Sequence, residues 1–127
     1  MKIKMNMKEI ISAINNTDKF CRKEYKLPYS VRRAIRKNLV VLGAEYTIFD
    51  AERERMLAES GDDKEATQAV CEEIIKIMEQ EVEVDIEKVP ESDLSNLELP
   101  YLDELAIDYM LLWPEETEEV NTDERGN

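Results

Sequence analysis

The feature that most constrains the fold is an apolar repeat in the middle of the chain. From residue 35 to residue 56 the repeat positions follow one another at alternating steps of four and three, which is the period of a helix that packs along another helix. Its members are Ile35, Leu39, Leu42, Tyr46, Phe49 and Met56, with Arg53 as the one interruption. The repeat predicts a long helix over about 29–60. If no other helix of the chain covered this stripe, a second copy could associate through the long helix.

The residues after the long helix predict a tight turn into a second helix. Gly61 stands where a glycine commonly follows a helix, and Asp62 or Asp63 can cap the next one. A second helix over about 64–80 is indicated by apolar residues at helical spacing: Val70, Cys71, Ile74, Ile75, Ile77 and Met78. Because the turn is so short, we expect an antiparallel helical hairpin.

Two short segments have the alternation of β-strands. Residues 82–87 alternate between apolar and acidic side chains, and residues 2–5 alternate between lysines and apolar side chains. Opposite charges on neighbouring strands favour pairing, so we predict a two-stranded ribbon that joins 2–5 to 82–86. A two-stranded ribbon is marginal alone, and we expect it to lie on the helices.

Helices are also predicted near both ends of the chain. Asn6 and Glu9 have the spacing of a capping box at the start of an N-terminal helix, which the polar run 15–18 should weaken. A final helix beginning near Pro100 is predicted from Tyr101, Leu102, Leu105, Tyr109 and Leu112. The fold class is therefore mainly α, with a single helical domain over 1–113 and an acidic, disordered tail over 114–127.

The charge is polarised along the sequence. The 127 residues carry a net charge of −13, with +5 in residues 1–61 and −18 in residues 62–127. This distribution argues against direct nucleic-acid binding and favours a partner with a basic surface. A basic cluster at the start of the long helix is expected to pair with the acidic half, while an anion-binding patch is the alternative: Arg32, Arg33, Arg36 and Lys37.

Several kinds of chemistry are missing. The chain has no histidine, and its three glycines are isolated, so it lacks the commonest general base and a phosphate-binding loop. We therefore predict a protein that is not an enzyme and has no cofactor or metal. Cys21 and Cys71 are interpreted as reduced thiols in the core, and Gly43 as a place where a neighbouring helix approaches closely.

The sequence also gives expectations about location. No run of about 18 apolar residues is present, and the first residues lack the apolar segment of a signal peptide. We therefore expect no membrane association and a cytoplasmic location.

The candidate partner-binding residues are an acidic run and one tryptophan. The run consists of Glu79, Glu81, Glu83, Asp85, Glu87 and Glu91. On a strand, alternate acids project from one face about 6.6 Å apart and could imitate phosphates. The alternative is an edge strand protected by its charge. Trp113 is the best single candidate for a contact residue, because it stands beside a helix-ending proline and the tail.

Three strings in the same order carry a resemblance to a known family: MKIKM at 1–5, KLPYSV at 26–31 and EVEVDIEKV at 81–89. With the short motifs that follow at 93–98, they make roughly residues 1–112 resemble an uncharacterised family of small phage and prophage proteins from Gram-positive bacteria. The chain departs from that family at 15–18 and lacks the longer insert often seen after the first long helix. The family is a domain of unknown function, so the resemblance implies no catalytic residues.

What the resemblance implies is a phage origin and action in the host bacterial cytoplasm or in the virion. Together with the small size and the acidity, it leads to the hypothesis of a phage-encoded, non-enzymatic inhibitor. Its target would be a host protein such as a CRISPR or other defence nuclease, bound through the acidic run. The alternative hypothesis is a virion or tail-module accessory or assembly protein.

Overall fold

The structure is a computed structural model that describes residues 1–114. Two short 3₁₀ turns, Glu91–Leu94 and Asp108–Met110, lie among the regular elements of the C-terminal segment. The helices and strands, in chain order, are β1 (Lys2–Asn6), α1 (Met7–Cys21), α2 (Tyr29–Ser60), α3 (Lys64–Glu79), β2 (Glu81–Asp85), β3 (Val89–Pro90), α4 (Tyr101–Ala106) and β4 (Leu111–Leu112). The mainly helical fold class with a long helix and a small ribbon is thereby confirmed.

The helical hairpin forms as the turn residues predict. α2 ends at Ser60, and Gly61 follows with φ of 59°, a left-handed conformation that glycine adopts without a steric penalty. The Asp63 carboxylate then caps α3 by accepting hydrogen bonds from the backbone N–H groups of Glu65 at 3.0 Å and Ala66 at 3.4 Å. These contacts satisfy N–H groups that have no partner inside the helix, which fixes where α3 begins.

The core lies along the apolar repeat of α2. Ile35, Leu42 and Phe49 are buried, and α1, α3 and the ribbon pack over them. Burial of each such side chain stabilises the fold by about 1.5–3 kcal/mol. The repeat is therefore covered within one chain.

The first helix is more regular than its sequence suggests. Asn6 and Glu9 form both hydrogen bonds of the capping box, at 2.9 and 3.0 Å. The expected weakening at 15–18 is wrong, because α1 runs without a break to Cys21. Thr17 in this stretch is completely buried and shares a 2.9 Å hydrogen bond with the hydroxyl of Tyr109. This tertiary contact overrides the weak helix propensity of the polar run.

The predicted ribbon is present and antiparallel. Lys2 lies opposite Asp85 and Lys4 opposite Glu83, so opposite charges face each other across the two strands. Met5 and Val84 are buried against the helices, which supplies the support that a two-stranded ribbon needs. A second pairing, parallel and two residues long, joins β3 to β4 and was not predicted.

The predicted C-terminal helix is wrong in its extent. α4 has only six residues, and Leu112 belongs to a strand. Three of the apolar residues from which this helix was predicted are exposed: Tyr101, Leu102 and Leu105. Asp103 is buried, because its carboxylate accepts a hydrogen bond from the hydroxyl of Tyr25 at 2.5 Å and lies 3.4 Å from the Lys23 ammonium. A partnered acid therefore anchors this helix.

Three further expectations are corrected. Cys21 and Cys71 are free thiols, as predicted, but both are exposed, because the buried side of each helix lies at other positions. Ile75 is half exposed for the same reason. Among residues 1–114, no neighbouring helix approaches Gly43, since a Cβ added there would meet nothing within 4 Å.

Within residues 1–114, no helix combines the length and the apolar character needed to cross a membrane. Of the predicted acidic tail, residues 115–127 lie outside the described part of the chain.

Candidate protein-binding surfaces

β2 presents its acids on one face, as the strand period requires. Glu81, Glu83 and Asp85 are exposed, while Val82 and Val84 between them point inward, Val84 being fully buried. The part of the predicted row that lies on β2 is therefore accessible to solvent.

Cations of the same chain lie beside two of these acids. The N-terminal ammonium is 3.1 Å from the Asp85 carboxylate, and the Lys2 ammonium is 3.8 Å from that of Glu83. Both pairs are largely exposed and contribute little stability. They do affect the local charge. The outer face of the ribbon carries lysines next to its acids, so it is less negative than the sequence of β2 suggests.

The Glu87 side chain forms ion pairs with two basic residues of α2. Its carboxylate lies 2.5 Å from the Arg33 guanidinium and 3.5 Å from the Lys37 ammonium. The hydrogen bond from Arg33, followed by the positive charges of Arg33 and Lys37, holds the pKa of Glu87 below its usual range. The carboxylate therefore stays ionised and ties the segment after β2 to α2, while its predicted role in partner binding stays a prediction.

The remaining predicted residues differ in accessibility. Glu79, the last residue of α3, is exposed, whereas Glu91 is half-buried at the start of a 3₁₀ turn. Trp113 is half-buried against the core, and its indole N–H donates to the Asp108 carboxylate at 2.9 Å. A contact role for Trp113 would use the exposed part of the ring only.

Sequence reasoning missed the acids of α3 that precede Glu79. Glu65, Glu72 and Glu79 follow one another at seven-residue intervals, which places them on one side of the helix about 10.5 Å apart. Glu73 is exposed beside them, and Glu81 continues the row into β2. The signal that could have found them was the same seven-residue period that identified the apolar repeat.

We call the five residues Glu65, Glu72, Glu73, Glu79 and Glu81 the acidic face. Within residues 1–114, no basic side chain forms an ion pair with any of them. This distinguishes the acidic face from acids such as Glu52 and Glu59, which share the guanidinium of Arg55. Unpaired, exposed carboxylates can meet a basic partner without first breaking an internal ion pair.

The basic cluster at the start of α2 is only partly neutralised. Arg33 and Lys37 pair with Glu87, as the expectation of internal pairing requires. Arg32 and Arg36 form no ion pair with an acid in residues 1–114, and Arg32 lies over the ring of Tyr29 instead. Internal pairing therefore accounts for half of the cluster.

Two open grooves flank the basic start of α2. The larger, of about 970 Å³, has Phe20, Tyr25 and Leu39 in its lining and the two unpaired arginines at its side. The smaller, of about 710 Å³, lies towards Asp85 and Leu112. Val40 contributes to both linings, so it stands on a ridge between them.

No group of three or more cysteine, aspartate or glutamate side chains in residues 1–114 is arranged to hold a metal ion. The carboxylates of the acidic face are spread along a surface and do not converge on a point. Such an arrangement suits contact with an extended charged surface.

No protein-family model matches the sequence, and neither a curated protein nor a solved structure shows significant similarity to it. The phage origin implied by the resemblance therefore stays a prediction.

Proposed function

We propose that this chain is a non-enzymatic binding protein that uses its acidic face to occupy a basic surface of a host protein, such as the nucleic-acid channel of a CRISPR or other defence nuclease. The single observation that carries the proposal is the row of exposed carboxylates on α3 and the start of β2 that have no ion-pair partner in residues 1–114. Glu83 and Asp85 extend this row, with Lys2 and the N-terminal ammonium beside them.

The charge of the surrounding chain supports an electrostatic mode of binding. Residues 62–114 contain 16 acidic and 3 basic side chains, so the acidic face belongs to a strongly negative half of the protein. A negative surface of this kind speeds encounter with a basic partner and repels nucleic acid. The interaction should weaken as salt screens the charges, since the screening length falls to about 10 Å at 0.1 M salt.

The test compares two variants that lose the same number of charges. The first neutralises the acidic face by Glu72→Gln, Glu73→Gln, Glu79→Gln and Glu81→Gln. The second, a matched control, neutralises four acids outside the row that have ion-pair partners, by Asp18→Asn, Asp50→Asn, Glu52→Gln and Glu59→Gln. Each is immobilised and exposed to a bacterial lysate at rising salt concentration.

We expect the wild-type chain and the control to retain a protein that the first variant does not retain, with binding that falls as salt rises. The retained protein should lose a labelled DNA when the wild-type chain is added. Equal loss in both variants would mean that net charge alone matters and would reject the acidic face. A retained protein that does not bind nucleic acid would reject the nuclease part of the proposal.

A second candidate function, assembly within a virion or tail module, is favoured by α4. Tyr101 and Leu102 are 73% and 76% exposed on this short helix, with the half-exposed Leu105 one turn on. Neighbouring exposed apolar side chains commonly mark a protein contact. Mass spectrometry of purified particles distinguishes the two functions, because an assembly protein is present in them at a fixed stoichiometry.

A further inference from the structure

The outward face of α2 has no covering element in residues 1–114. α2 is 32 residues long, about 48 Å at 1.5 Å per residue, and its core side is covered by the rest of the chain. On the opposite side Val40 and Ile48 are 68% and 67% exposed. These two β-branched apolar residues lie two helical turns apart on the longest helix of residues 1–114.

Gly43 lies between these two residues, and no contact within residues 1–114 requires a glycine there. A glycine in a helix interior costs about 1 kcal/mol relative to alanine. A Cβ added at this position would meet no atom within 4 Å, so residues 1–114 would accommodate an alanine here. Ala44, the next residue, is also exposed and small, and together they would let another helix approach the backbone of α2 closely.

The charges of α2 are divided between its two halves. Residues 29–44 contain four basic side chains and no acid, whereas residues 45–60 contain five acids and two arginines. Arg32 and Arg36 in the basic half form no ion pair with an acid in residues 1–114. A second α2 running antiparallel would bring its acidic half against this basic half, and its helix dipole would oppose that of the first.

We propose that two copies of this chain form a two-fold symmetric dimer in which the outward faces of α2 pack antiparallel and cross near Gly43 and Ala44. With Ala44 on the axis, residues at equal distances on its two sides lie opposite each other. Val40, four residues before Ala44, then lies opposite Ile48 of the second copy. Arg36, eight residues before Ala44, lies at the same height along the helix pair as Glu52 of the second copy. The contact is the same for both copies, so it closes as a dimer and does not extend into a fibre.

The position of Val40 agrees with this packing. Val40 stands on a ridge between two grooves, so side chains of a crossing helix can enter on both sides of it. Ridges that fit into grooves are the usual way in which two helices pack. The dimer uses α2 and leaves the acidic face on α3 free, so it is independent of the proposed function.

The first test is sedimentation velocity on the full chain at concentrations up to roughly 100 µM, a range that detects dimers of modest affinity. We expect the mass to approach twice the monomer value of 14.8 kDa as the concentration rises.

Ala44→Glu should abolish the dimer, because it places a charge at the crossing point. Ala69→Glu, at an exposed alanine of α3, is the matched control and should leave the dimer intact. A wild-type chain that stays monomeric, or an Ala44→Glu chain that dimerises, overturns the proposal.

The second test separates loss of the dimer from loss of the fold. Gly43→Leu places its Cβ where no atom lies within 4 Å in residues 1–114 and replaces glycine by a better helix former, so it should keep the helical circular dichroism and raise the melting temperature at low concentration. The same variant should lose the dimer, because its side chain prevents the close crossing. A Gly43→Leu chain that dimerises as well as the wild type contradicts the proposed geometry.

The third test addresses the antiparallel direction. Arg36→Glu should raise the dimer dissociation constant by roughly three- to tenfold, because it places like charges across the interface. Adding Glu52→Arg in the same chain should restore most of the affinity, since the opposed charges are then exchanged in both copies. If the double variant binds no better than Arg36→Glu alone, the helices do not cross in the direction proposed.

Discussion

Asn38 on α2 forms two hydrogen bonds with the backbone of Glu87. Its amide nitrogen donates to the Glu87 carbonyl at 3.0 Å, and its amide oxygen accepts from the Glu87 N–H at 2.7 Å. Asn38 is completely buried. Its side-chain amide satisfies the backbone N–H and carbonyl of Glu87 just after β2, as the backbone of a neighbouring strand would. The same residue, Glu87, is held from outside by Arg33 and Lys37, and the two sets of contacts fix the ribbon to the long helix.

Asn38→Ala should lower the free energy of unfolding by about 2–3 kcal/mol, because it leaves two partly buried backbone groups of Glu87 without these partners. Urea denaturation followed by circular dichroism measures the change. Asn16→Ala, at an exposed position of α1, is the matched control and should change stability by less than about 0.5 kcal/mol. Equal effects of the two substitutions would contradict the structural role of Asn38.

Acid should destabilise the protein through carboxylates whose pKa values are lowered in the folded state. The hydrogen bond from Arg33 lowers the pKa of Glu87, and the hydrogen bond from Tyr25, with help from Lys23, lowers that of Asp103. A lowered pKa means that the folded state binds the proton less readily than the unfolded state. The stabilisation is therefore complete at neutral pH and is lost as the pH falls below the ordinary values of 4.5 for Glu87 and 3.8 for Asp103.

Denaturation curves between pH 7 and pH 3 check this expectation. Glu87→Gln should reduce the loss of stability on acidification, because the variant has no proton to take up at this position. Glu98→Gln, at an exposed position, should leave the pH dependence as it is in the wild type. Parallel curves for the wild type and Glu87→Gln would show that Glu87 does not contribute to acid sensitivity.

The hydrogen bond between Thr17 and Tyr109 should hold the C-terminal segment on α1. Thr17→Val keeps the shape of the buried side chain but leaves the hydroxyl of Tyr109 without this partner, at a cost of about 1–2 kcal/mol. Thermal unfolding measures the change, and Ser12→Ala at an exposed position of the same helix serves as the control. A Thr17→Val chain as stable as the control variant would mean that the hydroxyl pair contributes nothing.

The two thiols should react at different rates with iodoacetamide in the folded protein. Partial loss of solvent around the thiol, and after it the negative charge of Asp18, raises the pKa of Cys21, which lowers its reactive thiolate fraction. Asp18→Asn should accelerate alkylation of Cys21 and leave that of Cys71 unchanged, as followed by mass spectrometry of the peptides. Acceleration at both thiols would indicate partial unfolding, and acceleration at neither would contradict the influence of Asp18.

The sequence could predict elements whose signals are periodic or local. The apolar repeat on 35–56 predicted α2, and Gly61 with Asp62 or Asp63 predicted the turn into α3, because helix ends depend on nearby residues. Alternating charges predicted the ribbon and which strands pair. The same period, applied to acids, would also have indicated Glu65 and Glu72.

Tertiary structure decided the features that depend on residues distant in sequence. The extent of α1 follows from the contact of Thr17 with Tyr109, and the short α4 from the burial of Asp103 against Tyr25 and Lys23. These contacts join positions far apart in the chain, and their energies exceed the local preferences that sequence patterns report. Which acids are paired and which remain free is decided in the same way, because an ion pair depends on distances that only the packed chain defines. The sequence therefore determined the periodic elements and the sign of the charge, and the fold determined the extent of α4, the β3–β4 pairing and which charges of residues 1–114 are left without an ion pair.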